Sequence, residues 1–474
     1  MLTFLVLFPL IAGGLTFILP ENRLRVFVLL LVSIVHSGMV MTFWSALPMS
    51  VLNGFLSIDT LGLIVLSIVS LLFLAVSFYL IGYFRDEQNS PPRIFVGCLL
   101  LFLASMTLVT VTRHLGLFWV AIEATTLSSA LLINFPKTRS SIEATWKYLM
   151  ICSVGIALAL LGTYFLAISA TEIKTLHLDQ LLNNSSRLLL PWLKISAIFL
   201  LVGYGTKMGL APMHTWLPDT YSEAPSPLAA LFSGAFSSCA FLGILRVYQI
   251  CNAAGELQFF STILTLVGII SLGTAAFFIL GQSDYKRMLA YSSIEHMGIL
   301  ILGISLGAGG IYGSMFHLIN NALSKGLMFL VFDKLHQKYH SRQIKDVQGV
   351  LRSYPFLGTL MLAGFFAVAG IPPFAGFWSQ LMILNASIVG RHYVVAFIYI
   401  ASLALIFIGM TAIVLKMAQG LPAAKLAGKP VETEDWCTMI PILFLALILL
   451  TLGLNVPSFL NTVLQKSALL LGGS

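Results

Sequence analysis

The sequence predicts an all-α polytopic membrane protein of about fourteen transmembrane helices, with two inverted five-helix repeats and broken helices 7 and 12. Three observations predict it. The composition is 58% hydrophobic and only 9% charged, against roughly 25% charged in an ordinary soluble domain. Apolar runs of about twenty residues, long enough to cross a hydrocarbon core of roughly 30 Å, recur along the whole chain. Intramembrane charges and Gly-Pro segments recur in the same order five spans apart.

The runs place spans near 1–19, 25–46, 59–84, 92–112, 115–134, 144–168, 190–210, 226–249, 259–280, 287–307, 311–332, 356–381, 392–418 and 438–458. The first has no cleavage-site signature and leads straight into the second, so it reads as a retained helix rather than a signal peptide. No polar stretch is long enough for a soluble domain, a nucleotide site or a redox centre. Cys98, Cys152, Cys239, Cys251 and Cys437 lack the paired spacing of an iron–sulfur or zinc site. They read as buried apolar positions.

The net charge of +8 has a pattern. Sixteen of the 26 Lys and Arg lie in odd-numbered connections between spans, from Arg23 and Arg25 in the first to Lys416, Lys425 and Lys429 in the last. Seven lie in even connections and the C-terminal stretch. Cytoplasmic loops accumulate Lys and Arg, so the odd connections are expected in the cytoplasm and both termini on the outer side. The basic balance is thus topology rather than a nucleic-acid footprint. The Lys and His run from 333 to 345 reads as one such cytoplasmic loop.

Three basic residues fall inside apolar spans: Lys147, Lys207 and Lys325. Glu123 and Glu295 do likewise. A charge near a helix centre costs roughly 2.5–3.5 kcal/mol, so five of them call for a function. Their surroundings repeat: Glu123 in AIEA and Glu295 in SIEH, Lys147 opening KYLM and Lys325 opening KGLM, and GLAPMHTW (209–216) answered by GIPPFAGFW (370–378). The offsets are 172, 178 and 161 residues. Five spans is an odd number, so the copies have opposite membrane orientations, as in transporters built from inverted repeats. Pro breaks a helix and frees backbone carbonyls at membrane depth, which is tolerated where the break lines a cavity or ion path. The expected units are residues 1–91 (helices 1–3), 92–250 (first repeat), 251–420 (second repeat) and 421–474 (the last transmembrane helix).

The segments GYGTKMGLAPMHTWLPDTYSEAPSPLAALFSG (203–234) and DYKRMLAYSSIEHMGILILG (284–303) resemble the antiporter-like family. It comprises the proton-translocating subunits of respiratory complex I, the Mrp antiporters and the membrane-bound hydrogenases. The SIEHMG and SEAPSPL versions look most like the branch containing component F of hydrogenase-4. The resemblance covers about spans four to thirteen and implies a central hydrophilic axis along which protons move. The family's glutamate on the fifth helix matches Glu123, its lysine on the seventh matches Lys207, and the pair partner on the sixth would be Lys147. The polar residues of the eleventh would be His317 and Lys325, with His214 in PMHTW either a relay or a structural histidine. Two positions depart from the pattern. Ser238 stands where relatives place Lys or His, and Gln380 where they place Lys or Glu. Neither holds a charge near pH 7. That leaves Glu295 and His296 to supply the outward titrating group, or leaves the subunit a poor translocator. The longest family members end in a lateral helix; with about sixteen residues after the last span, none is expected here.

Burial disfavours the charged form of a side chain and a close opposite charge favours it. A Glu123–Lys207 or Glu123–Lys147 pair that opens and closes would therefore have two protonation states. Three functions follow: a proton-translocating subunit of a redox-driven inner-membrane complex, a component of a multisubunit cation/proton antiporter, or a structural subunit without transport. In the first, this chain would carry no cofactor. Iron–sulfur and nickel–iron centres would sit in peripheral hydrogenase-type partners, beside other antiporter-like and small membrane subunits.

Overall fold

The computed structural model describes residues 1–85, 93–420 and 435–472. Lys425 and Lys429 lie outside them, and the expected unit boundaries near 92 and 421 fall at their edges.

The chain opens with α1 (Leu2–Thr16), α2 (Asn22–Phe43) and α3 (Thr60–Tyr83). There follow α4 (Arg93–Val111), α5 (Leu115–Ile133), α6 (Arg139–Ser169) and the short α7 (Leu178–Asn183). The seventh transmembrane helix is broken into α8 (Leu190–Met208) and α9 (Leu217–Glu223). The eighth is α10 (Ser226–Leu231) and α11 (Ser237–Ala253), joined by a π-helical turn at Phe232–Phe236. Then come α12 (Leu257–Ile279), α13 (Tyr285–Ser305), α14 (Ala308–Tyr339) and the one-turn α15 (Val350–Ser353). The twelfth is broken into α16 (Pro355–Val368) and α17 (Ala375–Val389), and α18 (Tyr393–Gln419), α19 (Trp436–Leu454) and α20 (Ser458–Leu470) close the chain. Among the described residues, eleven helices are long and apolar enough to cross a membrane. With α1 and the two broken helices they make the fourteen expected.

Local chemistry sets the ends. Asp59 caps α3 by accepting from the Gly62 amide (2.9 Å), Thr138 and Ser141 form a reciprocal capping box on α6, and Asp284 accepts from the Lys286 and Arg287 amides at the start of α13. Both breaks open with a glycine at positive φ, Gly209 (88°) and Gly370 (68°), followed by proline three residues on (Pro212) and two residues on (Pro372). The freed backbone is satisfied: the Trp216 indole donates to the Thr206 carbonyl (2.8 Å), and the Ala211 amide donates to Ser271 Oγ (3.0 Å).

The two repeats pack alike. α4 lies on α5, α5 on α6 and α6 on α8; in the second half α12 lies on α13, α13 on α14 and α14 on α17. α6 and α8 approach so closely that a Cβ at Gly203 would fall 2.6 Å from the Gly155 carbonyl. Lipid-facing helices show apolar stripes, such as Trp146, Met150 and Val154 on α6. α10, α11, α13 and α14 are enclosed on nearly all sides.

The structure corrects the sequence reading at three places. α14 runs to Tyr339 instead of stopping near 332, so Asp333 and Lys334, expected in a loop, are buried on a helix. Their charge ended the apolar run but not the helix. Lys286, expected in a connection, is likewise buried at the start of α13. A further helix, α20, follows the last span and packs on α14 and α3, with Asn461 accepting from the Tyr312 hydroxyl (2.8 Å).

Candidate functional site

The first polar cluster joins α5, α6, α8 and the π turn. Glu123 and Thr126 are three residues apart on α5, hence on one face. The Thr126 hydroxyl donates to the Glu123 carboxylate (3.1 Å) and accepts from Lys207 Nζ. Lys207, in the last turn of α8, is fully buried. Its ammonium stands 5.5 Å from the Tyr148 ring and 5.4 Å from the Phe236 ring, aromatic faces that partly replace lost hydration. The expected Glu123–Lys207 pair therefore exists through one intervening hydroxyl, with no direct contact.

Lys147 is not part of it. Its ammonium bonds Glu143 (2.7 Å) and Asp219 (2.8 Å), its side chain is 44% exposed, and Asp219 also holds Arg287 (3.0 Å). This ladder ties the ends of α6, α9 and α13 together at the surface. The expected buried role for Lys147 and its pairing with Glu123 are both overturned. Lys147 lies only two turns into α6, within reach of water and of an acid that no local pattern could reveal.

The second cluster joins α13, α14 and α17. Lys325 is fully buried and donates to the Leu289 carbonyl (3.1 Å), which also accepts from Ser293 (3.2 Å). Glu295 is buried and accepts from Ser292 (3.2 Å). His296 Nδ1 lies 2.9 Å from His317 Nε2, and His317 Nδ1 lies 2.9 Å from Ser379 Oγ. On α14, His317, Asn320, Asn321, Ser324 and Lys325 fall at the i, i+3, i+4, i+7, i+8 spacing of one helix face, and all five are buried. Both amide ends of Asn320 and Asn321, and His296 Nε2, are buried without a hydrogen-bond partner.

The other expected residues stand apart. The Ser238 hydroxyl is spent on the Gly234 carbonyl of the adjoining π turn. Gln380 folds its amide over Gly370, where a Cβ would sit 2.2 Å from its Oε1. It packs the break, while its neighbour Ser379 joins the histidines. His214 is half-buried in the first break, its ring 6.5 Å from Phe278 and its Nδ1 unpartnered. Sequence reasoning missed Thr126, Asn320, Asn321, Asp219 and Ser379. The α14 stripe was available as a 3.6-residue polar period; Ser379 and Asp219 carry no such signal.

Residues 112–409 match the family model described as NADH:quinone oxidoreductase/Mrp antiporter, TM. The chain is 32% identical over 347 residues to the hydrogenase-4 component F homolog of Methylacidiphilum infernorum (isolate V4), covering 71% of this chain and 73% of that one. It is 30% identical over 365 residues to hydrogenase-4 component B of Escherichia coli (strain K12), covering 73% of this chain but only 52% of that relative. The fold superposes with a TM-score of 0.87 on a chain of the membrane-bound sulfane sulfur reductase, an archaeal respiratory membrane complex, at 21% identity over 98% of this chain and 97% of the other. With more than half its length matched, the chain belongs to the NADH:quinone oxidoreductase/Mrp antiporter transmembrane family.

Proposed function

We propose that this chain is a proton-translocating subunit of a redox-driven membrane complex of the hydrogenase-4 type. The observation that carries the reading is the pair of fully buried lysines: Lys207, bridged by Thr126 to Glu123, and Lys325, on a wholly buried polar stripe. Charges kept at membrane depth mark ion paths.

The hydrogen bonds give part of the path a polarity. Ser379 donates its own proton to the Gly376 carbonyl (2.9 Å), so its oxygen accepts from His317 Nδ1–H. His317 Nε2 then accepts from His296 Nδ1–H, which leaves His296 Nε2 as a bare acceptor. A proton placed on His296 Nε2 can release Nδ1–H to His317, and His317 its own to Ser379. The unpartnered Asn320 and Asn321 amides, each a penalty of about 1–3 kcal/mol if dry, favour a hydrated stretch beside this relay. Glu123 sets the charge state of Lys207 through Thr126, and Lys325 takes up the proton in the second repeat.

Under this reading residues 92–250 and 251–420 act as two half-paths, between three leading helices and a closing one. On this reading the odd connections face the cytoplasm and the termini the outer side, which the excess of basic residues in the odd connections supports. Redox centres belong to peripheral partner subunits. The test is proton uptake by membrane vesicles holding the native complex. Lys207→Ala and Glu123→Gln should each abolish or sharply reduce it; unchanged uptake in both overturns the proposal.

A second reading, a component of a multisubunit cation/proton antiporter, is favoured by the Mrp half of the matched family. Uptake that depends on a sodium gradient and persists without electron donor would select it.

A further inference from the structure

Away from the lysine clusters, at the end of the bundle where the odd connections lie, a cavity of about 300 Å³ opens between α9, α10, α13 and α14. Its walls include Ser140, Glu223, Lys286, Asp333, His336 and Arg342. Two of these are buried charges with neutral hydrogen-bond partners. Asp333 accepts from the Tyr79 hydroxyl (2.6 Å) and the Gln337 amide (2.7 Å). Lys286 donates to the Ala224 carbonyl (2.8 Å). The two do not form a salt bridge with each other. The remaining charges are tied up at the rim: Arg342 binds Glu223 (2.9 Å) and the Ser222 carbonyl (2.5 Å), and Glu223 accepts from Ser140 (2.8 Å).

Lys286 and Asp333 of this cavity share helices with the second cluster. Lys286 and Leu289 are three residues apart on α13, a rise of about 4.5 Å, and the Leu289 carbonyl is the atom that holds Lys325. Asp333 lies on the same α14 face as Lys325, eight residues on, or roughly 12 Å along the axis. A topological anchor needs neither a carboxylate at 4% exposure nor a lysine at 5%. It needs charge at the surface, as in the Lys147–Asp219–Arg287 ladder.

We propose that this cavity is a proton entrance from the odd-connection side directly into the second repeat, with Asp333 and Lys286 as its loading groups for Lys325. The inference rests on the proton-translocation reading and adds an inlet into the second repeat that works in series with Glu123 and Lys207. Asp333 takes a proton from water in the cavity and returns it to water on the inner side. Lys286 offsets the charge of ionised Asp333; once Asp333 is protonated the Lys286 charge is left uncompensated, which favours passing the proton on over holding it.

The test uses the native complex in vesicles. Asp333→Asn keeps both acceptor bonds and cannot ionise; Lys286→Gln removes the balancing charge. Each is expected to lower proton uptake by about tenfold or more, as loss of a positioned proton-transfer group does, with subunit assembly intact. Should either variant fail to assemble, Ser140→Cys at the exposed rim decides. A membrane-impermeant methanethiosulfonate added on the odd-connection side should then block uptake, with no effect on the unsubstituted complex. If Lys207→Ala stops uptake while Asp333→Asn, Lys286→Gln and labelled Ser140→Cys all transport normally, the entrance is overturned and the general reading stands. If Lys207→Ala transports normally as well, the general reading fails too.

Discussion

His296 and His317 face each other across the α13–α14 interface with Nδ1 and Nε2 2.9 Å apart and their rings nearly parallel, 26° between planes. Each imidazole has two nitrogens, so it can take a proton at one and give one up at the other. Glutamine at His317 would fill much of the space but cannot do this. His317→Gln should therefore lower proton uptake by about tenfold or more. Ser379→Ala removes only the terminal acceptor, whose place water can take, and should produce the smaller defect. Equal uptake in all three proteins would remove this pair from the path.

Thr126 is the second point of control. Thr126→Val matches its shape but deletes the hydroxyl between Lys207 and Glu123. A hydrogen bond to a charged group contributes about 1.5–3 kcal/mol, so breaking the Lys207–Thr126–Glu123 link should lower uptake by roughly tenfold or more. Thr126→Ser restores the hydroxyl and should restore transport. Dye-quenching rates on both variants, at matched assembly, check this.

Much of the fold was legible because a bilayer imposes it: a span must be long, apolar and internally hydrogen-bonded, and the charged exceptions announce themselves. Lys207, Lys325 and Glu295 stand out that way, His296 and His317 only through the family resemblance, and all five are buried. Charge and burial part company at two places. Lys147 sits in an apolar run yet is half-exposed, because Asp219, in a short helix after the first break, comes to meet it. Asp333 looked like loop and is buried, because Tyr79 of α3, 254 positions away, supplies its hydrogen bond. Contacts of that range leave no local trace. Thr126 and Ser379 were passed over because a hydroxyl inside a helix ordinarily bonds its own backbone.

The second break offers a steric test. Gly370 has φ 68°, and the Gln380 amide occupies the place of its missing Cβ. Gly370→Ala should be destabilising on two counts: the left-handed backbone, about 1–2 kcal/mol, and the clash with Gln380. Adding Gln380→Ala removes the clash alone. The double variant should therefore regain part of the lost thermal midpoint in detergent, and full recovery would show that the backbone conformation carries no penalty here.

The last prediction concerns the even-connection end, where Arg246 of α11 holds Asp59 with two hydrogen bonds (2.6 and 2.7 Å) and Arg113 adds a third (2.9 Å). Burial alone would raise the Asp59 carboxyl, but Arg246 and then Arg113 override it and hold it well below the usual carboxylate range. A carboxyl depressed on folding contributes stability that is fully present above its unfolded value, near 4. That contribution is lost as the pH falls through the folded value. The thermal midpoint should thus decline with acidification below about pH 4, and Asp59→Asn should lack that component. The two single substitutions should also differ. Arg246→Met leaves Asp59 with Arg113 as partner, whereas Asp59→Asn strands Arg246, whose side chain is only 2% exposed, without its anion. Leaving a buried charge unpaired costs about 3–5 kcal/mol, so Asp59→Asn should be the more destabilising at neutral pH, with Arg246→Met well below that figure. Midpoints in the opposite order would mean that Arg113 alone does not compensate Asp59 once Arg246 is gone.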